Sequence, residues 1–152
     1  MTKVLIEMFG AFIAGIGFSI IYNTRGKRLI WCGLNGALAW GACCAAAVFT
    51  DSIFVQYMIA AAAGTLFSEI VARLTKAPAT IYLIPGLLPM VPGGSLYYTT
   101  YALVTSNEAD AAFFGKQTAV CAFGLAVGLV IISVGMYYIN EVLLRKHQRE
   151  HS

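Results

Sequence analysis

Charge is what this chain has least of. Only 11% of its 152 residues are Asp, Glu, Lys or Arg, whereas 59% are hydrophobic. A soluble domain of this length needs far more charged surface, so that class is excluded. Histidine is nearly absent as well: His147 and His151 both fall in a basic C-terminal stretch. Four residues apart, they could form a metal pair on a helix, but no third ligand accompanies them, and a solvated helix end is the plainer reading. Cys32, Cys43, Cys44 and Cys121 show no CxxC or Cys/His spacing and sit in apolar surroundings, as small packing residues do. There is no Ser/His/Asp set, phosphate loop or carboxylate pair, so nothing points to an enzyme, a cofactor or a metal. The net charge of +3 comes from short basic loops and makes no case for nucleic acid.

What the chain does have is apolar length, with a mean hydropathy of +0.76. A helix needs about 20 mainly apolar residues to cross a hydrocarbon core of about 30 Å. Residues 4–22, 29–49, 53–72 and 118–139 meet this plainly. A fifth window, 80–104, is long enough but interrupted by prolines. The expectation is an all-α polytopic bundle of about five transmembrane helices. It forms a single integral membrane domain over 1–152, ending in a basic tail over 140–152. The first window follows Lys3 but lacks a small-x-small cleavage site, and Arg25, Lys27 and Arg28 come directly after it. It therefore reads as a retained helix rather than a signal peptide.

Loop charge gives an orientation. Arg25, Lys27 and Arg28, then Arg73 and Lys76, then Arg145, Lys146 and Arg149 fall on one side of five crossings. Asp51, and Glu108 with Asp110 against Lys116, fall on the other. The positive-inside rule predicts an N-terminus outside and a C-terminus in the cytoplasm, in the cell membrane. It also requires the segment 80–104 to cross, since a segment that dipped and returned would swap the last two loops.

Small residues recur at a spacing of four: Ala11 with Gly15, Gly33 with Ala37 and Gly41, Ala60 with Gly64, and Gly124 with Gly128. Such stripes let helix backbones approach closely. Packing within the bundle is the first reading, and contact with a second chain, including another copy, is the alternative. Polar residues inside the windows are costly and deserve their own weighing. Glu7 can meet Lys3 and Glu69 can meet Arg73 as interfacial ion pairs, while Glu69 could also carry a proton in a coupled transporter. Asn35 sits in "CGLNGALAW", where its glycine neighbours allow a backbone or a substrate to come close.

The segment "YLIPGLLPMVPGGSLYYTTY" (82–101) is the anomaly. Pro85, Pro89 and Pro92 each remove a backbone donor and clash with the preceding turn, at a cost of about 3 kcal/mol in a helix interior. Gly93 and Gly94 leave helical dihedrals readily. Lipid offers the freed carbonyls no partner, so such a break must be buried in protein or line a wet cavity. Ser95 is a candidate N-cap for the helix that follows. The Gly94, Ser95 and Leu96 amides would then point into the membrane from a helix N-terminus, a setting that favours a carboxylate. Tyr97, Tyr98, Thr99 and Thr100 add hydroxyls beside it. The structural alternative is a proline kink that merely shapes the bundle.

At "PGLLPMVPGGSLY" (85–97) and "GFSIIYNTRGKRLIWCGLNGALAW" (17–40) the sequence resembles the C-terminal membrane domain of the threonine/serine exporter family. The short chains of its split members resemble the small subunit of a two-component exporter associated with dicarboxylates such as succinate. The resemblance implies an exporter of threonine, serine or dicarboxylates. It further implies that a second membrane subunit supplies the exporter half absent here. By position it points to Pro85, Gly86, Pro89, Pro92, Gly93, Gly94 and Tyr97, to which the residues themselves add Ser95, Tyr98 and Asn35. Two other readings stay open: a non-transporting assembly subunit, and a small homo-oligomeric proton-coupled transporter using Glu69.

Overall fold

The computed structural model describes residues 2–150, apart from the side chains of Asn140 and residues 143–150. The suggested His147–His151 pair therefore lies outside the described residues. In order the chain forms α1 (Thr2–Ile21), α2 (Arg28–Phe49), α3 (Ile53–Thr75), α4 (Thr80–Leu87), a 3-10 turn (Leu88–Met90), α5 (Gly93–Val104) and α6 (Glu108–Glu150). The expected all-α bundle is what forms, with no strand among the described residues. By length and composition α1, α2, α3 and the Glu108–Ile139 part of α6 can cross a membrane.

The helices meet where side chains are smallest. A Cβ on Gly15 would stand 2.7 Å from the Cys32 carbonyl oxygen, and one on Gly36 2.7 Å from that of Ala11. Larger residues at these positions would hold α1 and α2 apart. On α6, Gly124 faces the Phe54 carbonyl and Gly128 that of Met58. The four-residue step on α6 matches a four-residue step on α3 in the same sense, so these two helices run parallel. The chain between them must therefore travel back the other way.

That return is made in two pieces with different hosts. α4 and its 3-10 turn pack among α1, α2 and α3. Tyr82 joins Cys32, Val71 and Ala72, while Met90 joins Ala39, Cys43 and Ala60. α5 packs instead on α6, where the Tyr98 ring stacks on Phe114 with centroids 5.2 Å apart.

The last helix departs from the expected window at both ends. It begins at Glu108 rather than 118 because Asn107 caps it. The Asn107 Oδ1 accepts the Asp110 N–H at 3.3 Å, and its Nδ2 donates to the Asp110 carboxylate at 2.7 Å. Glu108 and Asp110 also suit the positive end of the helix dipole. The polar loop thus shrinks to a turn around Ser106, which has a φ of 56°. At the other end α6 continues through the basic stretch to Glu150. Its 43 residues span about 65 Å, roughly twice a hydrocarbon core.

Candidate functional site

The first question at the break is where the backbone groups freed by proline go. Pro85 cannot donate to the Ile81 carbonyl, and the Cys32 thiol donates to it instead, at 3.4 Å. Next to it, the Tyr82 carbonyl accepts a bond from Asn35 Nδ2 at 3.0 Å. The second Asn35 N–H goes to Ser68 Oγ at 2.9 Å, and Ser68 donates its own proton to the Gly64 carbonyl at 2.9 Å. Thr75 Oγ1 donates to the Val71 carbonyl at 2.7 Å, so the Tyr82 hydroxyl is the donor in their 2.8 Å contact. Pro92 in turn frees the Leu88 carbonyl, which the Val91 N–H takes at 3.1 Å by tightening into the 3-10 turn. The inner half of the broken segment is thereby tied to α2 and α3 without help from lipid.

Asn35, Pro85 and Gly86 come together in this node, and all three are buried. A Cβ on Gly86 would lie 2.7 Å from that of Asn35, so only glycine lets the two backbones this close. Asn35 Oδ1 is the one buried side-chain polar atom without a partner among the described residues. Cys32, Ser68, Thr75 and Tyr82 complete the node and were not singled out in the sequence. Cys32 and Asn35 share one face of α2 three residues apart, a signal that could have pointed to them once Pro85 was known to free a carbonyl.

The break itself lies at Val91 and Pro92, where ψ turns to 131° and 59°. Helical geometry resumes at Gly93 with Pro92 as N-cap, so Ser95 is not the cap and makes no capping bond. Pro92 is tolerated there because an N-cap residue has no intrahelical acceptor for an N–H, so the missing donor costs no helix bond. The Leu96 N–H bonds the Pro92 carbonyl at 3.0 Å, and the Gly93 N–H bonds that of Val91 at 2.7 Å. The amides left unpaired by the helix start are those of Gly94 and Ser95, and the Leu96 amide is not among them. Gly93 and Gly94 are exposed, with nothing within 4 Å of where a Cβ would be. Tyr97, 64% exposed, stacks on Tyr101, whereas Tyr98, 51% exposed, stacks on Phe114 of α6.

Clefts flank the broken segment. One of about 200 Å³ lies between the end of α1 and α4, lined by Tyr22, Thr24, Thr80, Ile81, Ile84 and Pro85. Another of about 200 Å³, wholly apolar in its side chains, separates Leu87 and Val91 from Leu125 and Leu129. A third, of about 250 Å³, is walled by Glu7, Trp40 and Pro89. Glu69 is elsewhere. It is half-buried in a polar cleft of about 460 Å³ with Arg73 and Lys76, at the corner where α3 gives way to α4. Among the described residues no group of His, Cys, Asp and Glu could hold a metal ion.

A bundle of this composition, with four helices long and apolar enough to cross a membrane, defines a multi-pass helical membrane protein. The family model described as Threonine/Serine exporter, ThrE, matches residues 7–134. The chain belongs to the threonine/serine exporter family, a family of membrane transporters. The match spans the whole broken segment. No solved structure matches the chain.

Proposed function

We propose that this chain is the membrane subunit of a secondary exporter for small carboxylate-bearing metabolites, amino acids such as threonine and serine or dicarboxylates such as succinate. It works with a second membrane subunit that carries the other half of the exporter, with its N-terminus outside the cell and its C-terminus in the cytoplasm. The reading rests on one observation: the unpaired Gly94 and Ser95 amides at the start of α5. A helix N-terminus with free amides attracts an anion, and discontinuous helices in transporters use such ends for substrate carboxylates. Pro92 and Gly93 shape that end, and Tyr97 and Tyr98 follow it in α5. Asn35, Pro85, Gly86 and Pro89 hold the inner half while the outer half moves with α6. Glu69 lies beside Arg73 and Lys76 at the α3–α4 corner, away from the break, and is the candidate for carrying a coupling proton. Alternating access around Val91–Pro92, driven by the proton gradient, moves the substrate.

Transport into vesicles containing both subunits tests this reading. Gly94→Leu and Pro92→Ala are expected to stop export of threonine and of succinate while the protein still folds and inserts. Export that survives both changes removes the break as the site. Full export by the partner subunit alone removes this chain from the transport path altogether.

A further inference from the structure

Glu7 was expected to be an interfacial partner of Lys3, and the structure gives it a second setting. The Trp40 indole N–H donates to Glu7 Oε2 at 3.2 Å. Glu7 lies little more than one turn, about 8 Å, inside the Thr2 end of α1, and its side chain is 35% exposed. Its other oxygen, Oε1, lies 4.0 Å from the Lys3 ammonium, and that lysine side chain is 90% exposed. A contact that long, made by so mobile a side chain, holds the carboxylate weakly. Between Glu7 and the broken segment is the cleft of about 250 Å³, with Gly10, Ala11 and Ala14 on one wall and Pro89 on the other. A Cβ on Gly10 would meet nothing within 4 Å, so the cleft is open above it.

The Glu7 carboxylate is about a third exposed at the mouth of this cleft, and with Oε2 committed to a neutral donor its Oε1 is left for a cation. We propose that the Glu7–Trp40–Pro89 cleft is a binding site for a primary ammonium group, with Glu7 Oε1 as the acceptor. Lys3 occupies it loosely when no ligand is present. A ligand seated there presses on Pro89, so its occupancy is felt by the broken segment. The site favours solutes that carry an amine over dicarboxylates, and to that extent it deepens the transport reading, on which only the physiological ligand depends.

Trp40 reports on the site directly. Trp31→Phe leaves it as the sole tryptophan of a chain that has two. In that background, purified and placed in lipid nanodiscs, L-threonine and n-propylammonium are expected to shift Trp40 emission saturably, and succinate to leave it unchanged. Glu7→Gln should raise the half-saturating threonine concentration by about tenfold or more, the order of a lost charge-assisted hydrogen bond. Lys3→Met should not raise it. Gly10→Leu guards against a misfolded Gln variant: there is open space at that position, and the leucine should abolish the response by filling the cleft. An equal response to succinate overturns the site. So does the absence of a saturable response to threonine, or a change of less than about twofold in Glu7→Gln. Export that survives Gly94→Leu counts against the break and leaves this site standing, whereas a silent Trp40 sinks this site whatever export does.

Discussion

Asn35 Nδ2 donates to the Tyr82 carbonyl at 3.0 Å, across 47 residues of sequence, and this bond fixes the inner half of the broken segment to α2. The orientation of the carboxamide is forced. Ser68 has already given its proton to Gly64, so it can only accept from Asn35, as the Tyr82 carbonyl must. A flipped amide would set Oδ1 against two acceptors. Asn35 therefore acts purely as a donor, and its own oxygen goes without a partner.

Asn35→Asp tests that assignment because it keeps the shape and removes both donors. Two buried acceptors would then face a carboxylate, and the expected loss is about 3 kcal/mol, the order of buried polar groups left unsatisfied. Asn35→Ala, which removes the clash of acceptors along with the donors, should cost less. Thermal unfolding in detergent ranks the two, and an aspartate variant more stable than the alanine one would contradict the donor role.

Glycine changes should separate the inner half of the segment from the outer. Gly86→Ala forces a Cβ into the Asn35 side chain and should destabilise by about 1–3 kcal/mol, as overpacking in a tight core does. Gly94→Ala meets open space in a helical backbone, where alanine is the better helix former by about 1 kcal/mol. It should be neutral or stabilising in the same unfolding measurement. A large stability loss at Gly94 would mean that its backbone is not helical, and would undermine the free amides assigned there.

The α3–α6 contact makes a similar contrast. A Cβ at Gly124 would lie 2.6 Å from the Phe54 carbonyl oxygen, whereas one at Gly135 would meet nothing within 4 Å. Gly124→Val should therefore loosen α6 and lower the melting temperature, and Gly135→Val should behave close to the parent. Protease accessibility of the turn around Ser106 gives a second readout, since α5 depends on α6 for its packing.

Much of this architecture was open to reading because apolar length does not depend on tertiary contacts. The order of the apolar helices, the interruption at Pro85–Gly94 and the Gly124/Gly128 stripe all come from local pattern. The start of α6 did not, because Glu108, Asp110, Lys116 and Gln117 make residues 108–117 read as a polar loop, although Asn107 is a good cap. Ser95 misled for a related reason: capping chemistry favours serine, but the helix already begins at Gly93, directly after Pro92. The Asn35 node and the Glu7–Trp40 bond join residues 33 to 47 apart, and no local rule reaches that far.

The parallel course of α3 and α6 has a consequence for sidedness. If 80–104 returned to the side it started from, Ser106 would share a membrane face with Ala77. Because Gly124 and Gly128 follow Phe54 and Met58 in the same direction, Ser106 should share a face with Asp51 instead. Single cysteines at these positions, and at Gly26, in a chain whose four native cysteines are replaced by alanine or serine, make this measurable. Under the proposed orientation an impermeant maleimide should label positions 51 and 106 in intact cells, and 26 and 77 only after permeabilisation. An inverted pattern would reverse the orientation but keep the crossing. Labelling of 51 and 106 from opposite faces would overturn the crossing itself, and with it the placing of Gly94 and Ser95 partway through the membrane.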